Sequence, residues 1–188
     1  LPFVRWAEQE GYTFDVATNA DLEDHPELLA GGPGAGYRLV LSVGHDEYWS
    51  GPMRDTVVGF IGRGGNVAFF SGNTSFWQVR LEDPTPEGPA ATMVGYKAQL
   101  KADPVFGTDR VGELTSIWSD HLIGRPENQM TGVSFARGGY HRIGKVVPRG
   151  AGGYTVHRAD HWLFDGAGVA YGDLLGAAST VVGYECDG

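Results

Sequence analysis

A chain of 188 residues with 41% hydrophobic and 20% charged residues is long enough for one globular domain and too apolar for a disordered one. Its formal net charge of −9, with no Lys/Arg-rich run, argues against nucleic acid or an anionic membrane surface as partner. No apolar run reaches the roughly 18 residues a bilayer requires, and the single cysteine, Cys186, excludes an intrachain disulfide or a Cys-based zinc cluster.

The N-terminus has no signal-peptide pattern, and a lone thiol is compatible with a reducing compartment, so a cytoplasmic location is expected. The chain starts without Met, on what reads as the middle or end of a helix, and is expected to be a piece of a longer polypeptide. In chain order, "LPFVRWAEQEG" predicts a helix with Gly11 as its C-cap, and "YTFDVAT" alternates as a strand. "ADLEDHPELLAGG" predicts a short helix or irregular connector. "YRLVLSV" is a continuous apolar run, typical of a strand buried on both faces of a parallel sheet.

Ser50 then offers an N-cap, with Pro52 in the first turn, and Met53, Val57, Phe60 and Ile61 form the apolar stripe of a helix that ends at Gly64 and Gly65. "NVAFFS" predicts the next buried strand, and "GNTSFWQVRLE" a sharp turn into another helix. This order predicts an α/β fold with an open, mostly parallel sheet: residues 38–43 and 66–71 as adjacent strands, with helix 52–63 crossing between them. The α/β core spans 1–83. The remainder, 84–188, reads as a continuation with antiparallel β additions, from "TMVGYKAQL" through "FARGGYHRIGKVV", "YTVHRADHWLF" and "GVAYGDLLGA". "YTVHRADHWLF" reads as a hairpin around Ala159 and Asp160.

In open α/β sheets ligands sit beyond the carboxyl ends of the parallel strands. Two such ends are legible, "LSV-GHDEYW" and "FFS-GNTSFW", so His45, Asp46, Glu47, Asn73 and Thr74 are expected to face one crevice. A purely structural reading stands beside this one. Acids before a helix can simply favour its positive N-terminal dipole, and His45 can be a loop histidine with its hydrogen bonds met inside the fold. His157 and His161 are four apart, but in a hairpin context that suits structural roles better than metal binding. Trp77, Trp118 and Trp162 are expected in the core rather than in an aromatic substrate box. Cys186 reads as an inert small hydrophobe.

The runs "LVLSVGHDEYWS", "RDTVVGFIGRGGNVAFFSGNTSFWQVR", "TMVGYKAQ" and "HWLFDGAGVAYGD" resemble, in order and over nearly the whole chain, the C-terminal part of the large subunit of N,N-dimethylformamidase. The resemblance implies a fold like the class I glutamine amidotransferases, which are flavodoxin-like. In those enzymes a cysteine nucleophile occupies the strand-to-helix turn. Here that turn lies near Gly72 and Asn73, far from Cys186, so a cysteine mechanism is excluded.

The resemblance implies instead a mononuclear ferric hydrolase of small N-substituted amides, its iron held by two tyrosine phenolates and one glutamate. The glutamate carries over to Glu47, the acid/base histidine to His45, and the asparagine that orients substrate or water to Asn73. The two tyrosines lie upstream of the motif, and the contexts of Tyr12 and Tyr37 do not match them. The resemblance leaves room for a homo-oligomer and a small partner subunit. The alternative, from another class, is an amidotransferase-like binding or assembly domain without catalysis.

Overall fold

A computed structural model describes residues 2–31, 36–85, 88–135, 153–176 and 178. The described chain mixes helices and strands in small sheets, some of them parallel. It divides into two compact units, Leu1–Thr131 and Gly132–Gly188.

The first unit opens with α1 (Pro2–Gln9), closed as expected by Gly11 at φ +80. Residues 12–18 form no strand; they are exposed and irregular. Their alternation matches a β-strand, but a strand forms only where a neighbouring edge takes up its backbone groups, and no ladder pairs with this stretch. The connector folds as α2 (Asn19–Asp24), capped by Thr18, followed by a 3-10 turn over Pro26–Leu29.

The central motif is β1 (Leu39–Val43), β2 (Tyr48–Ser50), α3 (Gly51–Gly62) and β3 (Asn66–Phe70). β1 pairs β3 in parallel, Leu39 opposite Asn66 through Val43 opposite Phe70, with α3 between them in sequence, as the apolar runs predicted. The Ser50 hydroxyl accepts from the Met53 N–H at 3.2 Å, the expected N-cap.

α3 buries Met53, Val57 and Phe60 against Trp49, Leu29 and Trp118, with Val40, Val67 and Phe69 packed on the cluster. Each such side chain contributes about 1.5–3 kcal/mol. Ile61, predicted in the stripe, points outward instead. Gly65 closes the helix: its N–H donates to the Phe60 carbonyl at 3.0 Å, and a Cβ there would lie 2.3 Å from the Phe60 ring.

Two expectations are corrected in this region. β1 is not buried on both faces: Leu39, Leu41 and Val43 are exposed, as is Phe70, because α3 packs on the opposite face only. The segment after the Gly72 turn is not a helix but strand β4 (Trp77–Thr85), parallel to β2 and antiparallel to β5 (Gly88–Val94). Trp77, Val79 and Leu81 fall on alternate positions, the period of a strand, and Val79 is buried. Among the described residues the unit therefore carries two small sheets, β1-β3 and β2-β4-β5, in place of one open sheet. The "TMVGYKAQL" strand stops at Val94 and turns into a 3-10 helix over Lys97–Ala102. A short helix, α4 (Asn128–Thr131), ends the unit.

In the second unit β6 (Tyr154–Thr155) pairs antiparallel with β7 (Leu174–Leu175), not with the segment after Asp160. Residues 162–164 are a 3-10 turn capped by the His161 ring, so the predicted hairpin is replaced by a longer loop. Among the described residues of "GVAYGDLLGA" only Leu174–Leu175 is strand. "FARGGYHRIGKVV", apart from Phe135, and Cys186 lie outside the described residues. No described helix is long and apolar enough to cross a membrane.

Candidate active-site loops

The chain leaves β1, runs through residues 44–47 and enters β2; it leaves β3, runs through 71–76 and enters β4. Both strand pairs are parallel, so the two loops lie side by side between two ladders. Main-chain hydrogen bonds bind them together. The Ser75 N–H donates to the Asp46 carbonyl at 2.8 Å, and the Phe76 and Trp77 N–H groups both donate to the Glu47 carbonyl at 3.0 Å. Gly44 starts its loop at φ +101, a conformation that any side chain would strain.

Asp46 fastens this junction. Its carboxylate accepts from Asn19 Nδ2 at 2.7 Å, Trp49 Nε1 at 2.9 Å and the Ser42 hydroxyl at 2.6 Å, linking α2, β1 and the core tryptophan. Its neighbours are placed differently. His45 Nδ1 and Glu47 Oε2 lie 3.9 Å apart, with the His45 side chain 54% exposed and that of Glu47 17%. No other polar partner holds the Glu47 carboxylate among the described residues, so it can accept a proton, a cation or a water. Asn73, on the facing loop, is buried at φ +50.

Tyr48 points into a different environment. Lys97 Nζ donates to its phenol oxygen at 2.5 Å and lies 4.6 Å from the Tyr48 ring centre and 5.4 Å from that of Trp77. Tyr48 and Trp77 are register partners, so their rings share one face of the β2-β4 ladder. Lys97 takes φ +54 to reach them. No motif around Lys97 signals this placement in the sequence; it depends on the return of the chain through β5.

His45 and Glu47 thus stand on one loop and Asn73 on the loop bonded to it through the main chain, with Asp46 fastening the first. His157 meets Tyr171 edge-on at 5.9 Å, and the His161 ring lies 5.4 Å from that of Trp162. Trp118 is fully buried beneath Arg54 and Arg125, but Trp162 is 73% exposed, against expectation, because the loop that carries it forms no second strand. A broad groove bordered by Arg80, Arg110 and Arg125 lies outside the two loops. Its cations are already engaged, by Asp103, Glu113 and Asp55 respectively.

Among the described residues no group of three or more His, Cys, Asp and Glu side chains gathers around one point. Glu47 suits a hard cation as a single oxygen ligand. Asp46 and Tyr48 are committed to the hydrogen bonds above, so the residues present fit one corner of an iron site of the kind the resemblance implies.

The family described as N,N-dimethylformamidase beta subunit-like, C-terminal, matches residues 1–188. The chain is 26% identical over 192 aligned residues to the N,N-dimethylformamidase beta subunit of Alcaligenes sp, an alignment covering 85% of this chain and 24% of that protein. The chain thus spans about a quarter of that relative's length.

Proposed function

Because the chain belongs to the N,N-dimethylformamidase beta subunit-like, C-terminal family, we propose that residues 1–188 act as one domain of a longer amidohydrolase that cleaves a small N-substituted amide such as dimethylformamide. In this reading 1–83 form a core of the glutamine amidotransferase type and 84–188 continue it. The observation that carries the proposal is the Glu47 carboxylate beside His45, on a loop bonded through its main chain to the loop of Asn73.

Glu47 would hold ferric iron as one of at least three ligands, the others coming from tyrosines upstream of this chain. A metal held there would supply Lewis acidity toward a carbonyl oxygen. His45, with its ring half in solvent, takes the proton of the attacking water and returns it to the leaving amine. Asn73, on the facing loop, donates a hydrogen bond to the oxygen that gains charge. Asp46 keeps the two loops in register. As part of a beta subunit, the domain would sit in an assembly with further copies or a small partner subunit. A single cysteine over 188 residues suits a cytoplasmic setting.

In the intact polypeptide, Glu47→Gln should lose bound iron by elemental analysis, and His45→Ala should keep iron while turnover falls roughly 10²-fold or more. Iron retained at full stoichiometry in Glu47→Gln would refute the ligand assignment.

A further inference from the structure

The β1-β3 ladder presents two apolar faces, and only one of them is covered. Val40, Val67 and Phe69 pack on the cluster around α3. Leu39, Leu41 and Val43 alternate with Val40 along β1 and so point the other way, as does Phe70, the register partner of Val43. They are 48%, 39%, 46% and 58% exposed. Isolated exposed apolar side chains are ordinary, but these four share one face of one ladder. The patch continues past the sheet. The Phe3 ring of α1 lies 6.1 Å from that of Phe70, and half-exposed Trp6 lies 5.5 Å from Phe3.

Parallel strands are as a rule buried on both faces, because crossover helices cover them. Right-handed crossovers that run one way across a sheet lie on one face, and those that run back lie on the other. Here α3 supplies the first layer, with Leu22 of α2 and Leu29 packed beside it. Among the described residues only the Phe3 end of α1 is seen to approach the second face, and the β1 row stays half bare. The alignment covers 24% of the N,N-dimethylformamidase beta subunit, and the matching family is described as the C-terminal part of such subunits. Most of a polypeptide of that kind therefore precedes the matched region, and α1 brings the start of that region to the bare face.

We infer that this face is a docking surface within the longer polypeptide, and that its occupant is an amphipathic helix from the segment preceding residue 1. The helix lays its apolar stripe on Leu39, Leu41, Val43 and Phe70 and completes the second layer of the sheet. A second copy of the chain fits less well. It would cover the face only while the copies stay together, whereas a tethered helix covers it at any concentration. The inference rests on the reading of this chain as one domain of a longer polypeptide, and not on iron or amide chemistry.

In the intact polypeptide, Leu41→Cys should react with a maleimide, read on the peptide that carries it, at least about tenfold more slowly under native conditions than in urea, because labelling then waits for local opening. p-Benzoylphenylalanine encoded at position 39 and irradiated should cross-link to a peptide that precedes residue 1, in a product of single-chain mass. The linked sites should lie three or four residues apart, the spacing of one helix face. A Leu41→Cys thiol that reacts as fast natively as in urea would overturn the inference. So would a cross-link that joins two copies, one confined to residues 1–188, or none. Glu47→Gln, run in parallel, separates the two ideas. Iron kept in that variant while the face is protected refutes only the ligand assignment, whereas iron lost while the face is open refutes only the docked helix.

Discussion

Two polar corners of the first unit are buried to similar depth and treated in opposite ways. Around Asp103 every hydrogen bond is made. Arg80 grips the carboxylate with two N–H groups at 2.9 and 3.0 Å, while the Thr115 N–H and hydroxyl donate at 3.0 and 2.8 Å and the Val105 N–H at 3.2 Å. Burial alone would raise the Asp103 pKa, but these donors hold it down at about 2. At residues 73–75 three buried polar atoms have no hydrogen-bond partner among the described residues. The first corner is what a scaffold needs, since burying a charge is tolerable only when it is fully paired. The second shows the contrast: its side-chain oxygens are uncharged, so leaving them unpaired costs far less than leaving a buried charge unpaired.

The largest expected effect tests the scaffold corner. Asp103→Asn removes the charge under Arg80 and should cost about 3–5 kcal/mol in chemical denaturation. Wild type should show the same dependence through pH. The carboxyl pKa is depressed in the fold, from 3.8 to about 2, so its contribution is complete above pH 4 and lost as pH falls toward 2. A wild-type stability that stays flat between pH 4 and pH 2 would break the comparison from this side.

Asp46 lies between the two corners in kind. Asp46→Ala leaves Trp49 Nε1 and Asn19 Nδ2 without an acceptor and should cost about 2–3 kcal/mol. Asp46→Asn should cost less than about 1 kcal/mol, because the remaining oxygen can still serve both N–H donors and the Ser42 hydroxyl can turn to accept. Equal losses in the two variants would mean that the negative charge itself holds the loops. The smallest effect belongs to the surface. Arg110→Ala breaks an exposed pair with Glu113 and should leave the denaturation midpoint unmoved.

The parallel pair of β1 and β3 joined by α3 was legible in the sequence, because Ser50, Pro52 and the Met53, Val57, Phe60 stripe specify a helix locally and the apolar runs on either side leave few alternatives. β4 was misread: the glycine turn at Gly72 outweighed the alternation of Trp77, Val79 and Leu81. Residues 12–18 failed the other way, with the local pattern of a strand but no edge to join.

The adjacency of the two loops was legible in part. His45 and Glu47 are two positions apart in one motif, and Asn73 follows the next strand, so the chain order alone places them on neighbouring loops. Lys97 reaches Tyr48 across 49 positions, through a hairpin that no local signal announces. The strain at Asn73 and Ser75 is invisible in residue types, since neither is glycine.

Gly65 has a consequence for genetics. With the Phe60 ring 2.3 Å from where any Cβ would sit, every non-synonymous codon at this position drives a side chain into an aromatic ring at the root of β3. A library randomised at position 65 should therefore return glycine alone among folded clones. Gly65 belongs to neither the 44–47 nor the 71–76 loop, so such an invariant column would record the contact of one ring with one backbone carbon. A search that ranked positions by invariance alone would mistake it for a functional residue.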